Sequence, residues 1–110
     1  MNTIVKPLSE VASVIRSKNA GPFLLTFDVL FRSREDFEKV WQSGCFNKQR
    51  IASQFEVPEE QVLSIFAVPR GHAIKMTLRR PQPQGQIGES DMYGCQQHAP
   101  LLSFPVQLTT

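Results

Sequence analysis

Residues 23–31 read FLLTFDVLF. In an extended chain Phe23, Leu25, Phe27, Val29 and Phe31 fall on one side, and Leu24, Thr26, Asp28 and Leu30 on the other. Both sides are largely apolar, which marks a central strand rather than an edge. Asp28 is the exception. A carboxylate in such a surface is costly unless it is paired. Arg16, Lys18 and Lys75 are the cations placed to pair with it, either as a structural ion pair or as part of a surface facing a partner.

Downstream of this strand, Ser33 with Asp36 three residues on makes a variant of the capping box. The spacing predicts a helix with Phe37, Val40 and Trp41 inward, stopped at Gly44, then a second short helix opened by Asn47 with Ile51, Ala52 and Phe55 inward. Trp41 sits at helical spacing from Phe37, as a core residue does. Pro58-Glu59-Glu60 marks a turn, and the acidic pair diverges in direction, as on a solvated helix start. VLSIFAV (62–68) and HAIKMTLRR (72–80) read as two strands joined by Pro69-Arg70-Gly71, with Pro and Gly where a tight turn wants them. In the second of these, Ile74, Met76 and Leu78 point in, and Lys75, Thr77 and Arg79 point out. Residues 81–91, PQPQGQIGESD, form a polar loop without period, and the long polar region runs through 81–100. LLSFPVQL (101–108) reads as a last strand, held to a sheet edge by Pro105.

Upstream, residues 1–7 read as a flexible lead-in and LSEVASVIR (8–16) as a short helix. Ser9 caps it, and Leu8, Val11, Ala12 and Ile15 form its apolar stripe. The whole is then one α+β domain over 8–110. A four-stranded, mostly antiparallel sheet with helices packed on one face, arranged as a ferredoxin-like sandwich, is the simplest expectation.

At 110 residues and 12.5 kDa, with 41% hydrophobic and 20% charged residues, the chain can bury a core without metal or disulfides. Its formal charge of +2 is too small for the basic footprint of a nucleic-acid binder. No apolar run approaches the ~20 residues of a membrane helix, and the start lacks a secretory h-region. Cytoplasm, with Cys45 and Cys95 as reduced thiols, is the expected setting.

Two segments carry chemistry-bearing side chains. In Arg16-Ser17-Lys18-Asn19-Ala20-Gly21, two cations, a hydroxyl, an amide and a flexible glycine lie together. A tight turn there would aim backbone N–H groups and both cations at a carboxylate or phosphate. The same composition also suits an ordinary helix C-terminus with its glycine cap. In Asp91-Met92-Tyr93-Gly94-Cys95-Gln96-Gln97-His98, the histidine can act as acid or base with Asp91 orienting it, and Tyr93, Gln96 and Gln97 can bind substrate. A loop whose side chains satisfy its own backbone has that composition too. Cys95-x-x-His98 has half the spacing of a zinc site, with Asp91, Cys45 and His72 as the residues that could complete it. No second such pair is present, so the reading is no metal and no cofactor.

LSEVASVIRSKNAGPF (8–23), VPEEQVLSI (57–65), AIKMTLRRPQPQG (73–85) and DMYGCQQHAPLL (91–102) together resemble the family of small proteins named domain of unknown function 4387, over residues 8 to about 106. A weaker likeness is to the C-terminal ferredoxin-like domain of the large acyclic terpene utilisation proteins, carried by Arg16, Ser17, Lys18, Gly21, Asp91, Gly94, Leu101 and Leu102. Asn19-Ala20 replaces an acid-lysine step of that domain's turn, and Pro22 follows the glycine.

The resemblance implies a gene beside that of a large acyclic terpene utilisation protein A-like subunit, among genes of acyl-CoA or organic-acid catabolism. The small protein would be a detached domain or accessory subunit that docks on the larger enzyme and helps form an anionic-substrate site. Two other readings stand beside it. One is a non-catalytic ligand-binding or regulatory module, dimeric through the Pro105 strand. The other is a free-standing lyase or hydratase on a carboxylate or CoA ester, with His98 or Lys18 as base and Arg16 holding the carboxylate.

Overall fold

The computed structural model describes residues 3–79 and 99–109. The elements run β1 (Thr3–Pro7), α1 (Leu8–Val11), β2 (Val14–Asn19), β3 (Leu24–Leu30), α2 (Arg34–Gln42), α3 (Lys48–Phe55), β4 (Val62–Val68), β5 (Ala73–Arg79), α4 (Ala99–Leu102) and β6 (Pro105–Thr109). They build an antiparallel four-stranded sheet of order β2-β3-β5-β4 and a two-stranded ribbon of β1 and β6.

The FLLTFDVLF segment is the inner strand β3, flanked by β2 and β5. Its two sides differ. Leu25, Phe27 and Val29 are buried, while Leu24, Thr26, Asp28 and Leu30 are half-buried. On β5, Ile74, Met76 and Leu78 face the same way as the buried set and are themselves buried. This inner side receives the helices. The Phe27 ring lies 5.1 Å from that of Phe55 on α3, and Phe31 lies 6.2 Å from Phe37 on α2.

Both helix starts follow from their caps. The Ser33 hydroxyl accepts from the Asp36 N–H at 3.1 Å, and the Asn47 side-chain oxygen accepts from the Arg50 N–H at 2.9 Å. Gly44, at φ 79, ends the first helix, and Glu56, in the left-handed region at φ 58, ends the second. Trp41 is half-buried against the core.

Three expectations change. Residues 8–16 are not one helix: a single turn stops at Val11, Ala12 turns extended, and β2 begins at Val14. The Ser13 N–H and hydroxyl both donate to the Leu30 carbonyl, which steers the chain onto the side of β3. Residues 3–7, read as a lead-in, form a strand, because β6 comes back beside them with Pro7 opposite Pro105. The Pro105 strand therefore belongs to the ribbon, and β2 takes its place in the main sheet. The main sheet is built from two hairpins, β2–β3 and β4–β5, joined through α2 and α3, while β1 lies in the separate ribbon, so the sheet does not take the β-α-β-β-α-β connectivity of a ferredoxin-like sandwich. The coarser expectation holds: an α+β protein with an antiparallel four-stranded sheet.

The ribbon closes the far end of the core. Phe104 is buried, with its ring 5.2 Å from Phe46 in edge-on contact and the Arg50 guanidinium 5.3 Å above it. Arg50 also donates to the Pro105 carbonyl at 3.1 Å, and the Gln54 amide donates to the Pro100 carbonyl at 2.7 Å, so α3 holds both α4 and β6. Cys45 is buried here, and its Sγ accepts from the Gln107 N–H at 3.4 Å. It is a small core residue.

Candidate functional site

Directly opposed residues of an antiparallel ladder project to the same face. The β2–β3 register sets Arg16 against Asp28 and Lys18 against Thr26. The β3–β5 register sets Asp28 against Lys75 and Leu24 against Arg79. The β4–β5 register adds Phe66 beside Lys75. The outer face of the sheet therefore carries a row across all its strands: Arg16, Asp28, Lys75 and Phe66. Lys18 lies in the next row, with Thr26 and Thr77, and Arg79 in the one beyond, opposite Leu24. No described helix covers this face; α2 and α3 pack on the other.

Asp28 is the hub of the row. Its Oδ2 lies 3.4 Å from Arg16 Nε, and its Oδ1 lies 3.8 Å from Lys75 Nζ. The carboxylate side chain is only 17% exposed, against 64% for Arg16 and 46% for Lys75. The acid is thus sunk between two cations whose outer parts reach solvent. This settles which of the three cations pairs with Asp28: two of them do, Arg16 and Lys75, one from each neighbouring strand. Among the described residues Lys18 and Arg79 make no ion pair, so the face holds a surplus of positive charge. Beside the row is a shallow hollow of about 160 Å³, floored by Leu30, Val68 and Ala73 and rimmed by Arg16, Asp28 and Lys75.

The 16–21 segment is not the compact anion nest expected of a tight turn. Arg16 to Asn19 are extended along β2, so Arg16 and Ala20 are about 13 Å apart along the chain. The alternation splits the set: Arg16 and Lys18 point outward and are exposed, while Ser17 and Asn19 point to the opposite face, half-buried, and neither lacks a partner. Gly21, at φ 121, serves the β2–β3 turn and has open space where a side chain would stand. Asp91, Tyr93, Gln96, Gln97 and His98 lie outside the described residues, as does Cys95. No three His, Cys, Asp or Glu side chains among the described residues gather as a metal site.

Arg79 and Phe66 belong to this face but stand in neither of the two chemistry-bearing segments of the sequence. Their signal was present as outward positions of strands, in register with Asp28 only once the pairing is known.

Fold and site together define a class: a small α+β chain whose sheet is covered by helices on one side and presents a charged row on the other. The chain belongs to the family described as Domain of unknown function (DUF4387), whose model matches residues 8–105, from the first turn of α1 to the start of β6. Neither a curated protein nor a solved structure matches it. No helix among the described residues is long and apolar enough to cross a membrane.

Proposed function

We propose that this protein is a small accessory subunit, or detached domain, that docks on a larger enzyme of acyl-CoA or organic-acid catabolism and supplies part of an anionic-substrate site. The partner is the acyclic terpene utilisation protein A-like subunit implied by the family resemblance. The observation that carries the reading is the row Arg16–Asp28–Lys75 on a sheet face left bare by the described elements. Asp28 fixes the two cations in place and neutralises one of them. The remaining charge, with Lys18 and Arg79, suits a carboxylate or phosphate. Electrostatic complementarity of this kind speeds association and fixes register with an acidic partner.

Size favours an accessory role over a free-standing lyase or hydratase. The hollow beside the row, at about 160 Å³, is smaller than the ~300–1,000 Å³ of pockets that enclose a small-molecule ligand, so a second surface is needed to close it. Arg16 and Lys75 then bind the anion, Asp28 positions them, and Lys18 flanks the row. His98, Asp91, Tyr93, Gln96 and Gln97 remain the proposed acid-base and polar contributors from the segment before α4.

Co-expression with the large subunit tests the reading. A complex that survives size-exclusion chromatography, and that binds a CoA ester or dicarboxylate more tightly than either part alone, is the expected result. A chain that never associates with that subunit refutes it.

A further inference from the structure

We propose that the free edge of β4 is a self-pairing surface: two copies of this chain join β4 to β4, antiparallel, about a two-fold axis at Phe66. Among the described strands, three besides β4 have an edge to guard, and they are guarded. β1 carries Lys6 and Pro7, β6 carries Pro105 and packs on α2, and β2 carries Arg16 and Lys18 while its Ser17 and Asn19 already hold partners. Charges and prolines are the usual protection of a strand edge. β4 has neither in Val62–Val68, VLSIFAV. Its one irregularity, the shift between Val62 and Ser64, lies at its start and leaves 64–68 regular. No described strand lies on its outer side.

The phase of the ladder says which groups are unpaired. The Phe31 N–H donates to the His72 carbonyl, and the Ala20 N–H to the Leu24 carbonyl. Hydrogen-bonded pairs recur at every second residue of an antiparallel ladder. Hence His72, Ile74 and Met76 of β5 turn their backbone groups toward β3, and Ala73, Lys75 and Thr77 turn theirs toward β4. Their partners Val68, Phe66 and Ser64 are bonded in turn, which leaves the N–H and C=O of Ile65 and Ala67 directed away from the sheet.

A two-fold axis at Phe66 uses all of these groups. Ile65 of one copy faces Ala67 of the other, and each such pair exchanges both N–H···O bonds. Phe66 meets its own counterpart in a non-hydrogen-bonded pair, where side chains are closest. Phe66 is 46% exposed on the outer face, so the pairing buries an aromatic surface that the single chain leaves in water. Because β4 is uncharged, self-pairing brings no like charges together across the axis. The product is one continuous sheet with a cation row from each copy on the same face, the two Lys75 residues three strand spacings, or about 14 Å, apart. The partner is a second copy of this chain, and neither the anion site nor the large subunit is needed for it.

The mass in solution across a dilution series tests this. The expected result is a dimer of the 12.5 kDa chain that dissociates on dilution, with slowed amide exchange at Ile65 and Ala67 in the dimer. Phe66→Lys, which adds charge at the axis, and Ala67→Pro, which removes an outward N–H, each yield a folded monomer. Circular dichroism and melting of each variant separate loss of pairing from loss of fold. In a Cys95→Ala background, Phe66→Cys cross-links to its own copy on mild oxidation, since such a pair has Cα atoms about 4.5 Å apart, within disulfide reach. Thr77→Cys, on β5, does not. A monomer at every concentration overturns the proposal, as does a dimer that survives both edge variants. A dimer lost in those variants but never cross-linked through Phe66→Cys overturns the position of the axis. Protection of Ile65 and Ala67 only in a complex with another protein shows that a different strand occupies the edge, and overturns self-pairing.

Discussion

Asp28 lies opposite Arg16 in the β2–β3 ladder and opposite Lys75 in the β3–β5 ladder, so one carboxylate ties three strands on the sheet's outer face. The relationship explains how an acid survives in the middle of a strand that is otherwise apolar. It is kept on the half-buried side, and both neighbouring strands bring it a cation.

Replacing Asp28 by Asn removes the attraction and leaves Arg16 and Lys75 flanking a neutral residue. Pairs between exposed cations and an acid contribute about 0–1 kcal/mol each, and the 3.4 and 3.8 Å separations here are not the tightest geometry. The expected loss is about 1 kcal/mol in urea unfolding at low ionic strength. It shrinks in high salt, where exposed charges are screened. A loss that salt does not change would trace the effect to packing and refute the electrostatic account.

Glu56 ends α3 in the left-handed conformation at φ 58, where a side chain costs roughly 1 kcal/mol or more. Glu56→Gly relieves that cost while keeping the N–H bonds to the Ala52 and Ser53 carbonyls. The expected outcome is a gain of roughly 0.5 kcal/mol, after the added freedom of the unfolded chain is subtracted. Thermal or urea unfolding reads it directly, and a destabilised variant would mean that the Glu56 side chain makes a contact of its own.

The two helix starts were legible because Ser33 and Asn47 act on groups three residues away. Ser33→Ala is expected to cost about 1 kcal/mol, and Ser33→Gly only a few tenths. A cost near zero for Ser33→Ala would show that the hydroxyl contact to the Asp36 N–H contributes nothing.

What the sequence carried, and what it did not, divides on the same principle of range. β3, β4, β5 and both helices announce themselves through local period and caps. β2 does not: Leu8, Val11, Ala12 and Ile15 fall at helical spacing by coincidence, and the strand from Val14 is settled by Leu30, seventeen residues beyond Ser13. β1 is a strand only because β6 returns beside it from the other end of the chain. Of the candidate site, Asp28 and its cations were readable as residue types. Which cations pair with it depended on strand order, and strand order is a non-local property. The tight-turn reading of residues 16–21 failed for the same reason, since an edge strand and a loop can share a composition.

Phe104 is where the ribbon is fastened to the body. It is 1% exposed, stacks edge-on against Phe46 and lies under the Arg50 guanidinium. Phe104→Ala is expected to cost about 3–5 kcal/mol, a large part of the ~5–15 kcal/mol that holds a domain of this kind. Arg50→Ala removes the overlying cation and the bond to the Pro105 carbonyl but leaves the ring in place, so a cost nearer 1 kcal/mol is expected. Amide exchange separates the two effects. In Arg50→Ala the β1–β6 ladder should lose protection before the main sheet does, and uniform loss would show that ribbon and sheet open as one unit.

Charge reversal on the outer face discriminates docking from general surface charge. Lys75→Glu sets two carboxylates side by side and strips the row of one cation, while Lys39→Glu alters a lysine on α2 that pairs with Glu35 and lies off the sheet face. Both change the net charge equally. If the outer face is where the large subunit and its anion meet this chain, Lys75→Glu should weaken co-purification and anion binding by tenfold or more. That is about 1.4 kcal/mol, the scale expected of one well-placed charge at an interface. Lys39→Glu should leave both nearly unchanged. The wild-type association should weaken as salt is raised, and the Lys75→Glu protein should show a shallower salt dependence, because it has fewer charges to screen. Equal losses from the two reversals would mean that net charge alone attracts the partner, and would remove the outer face from the site.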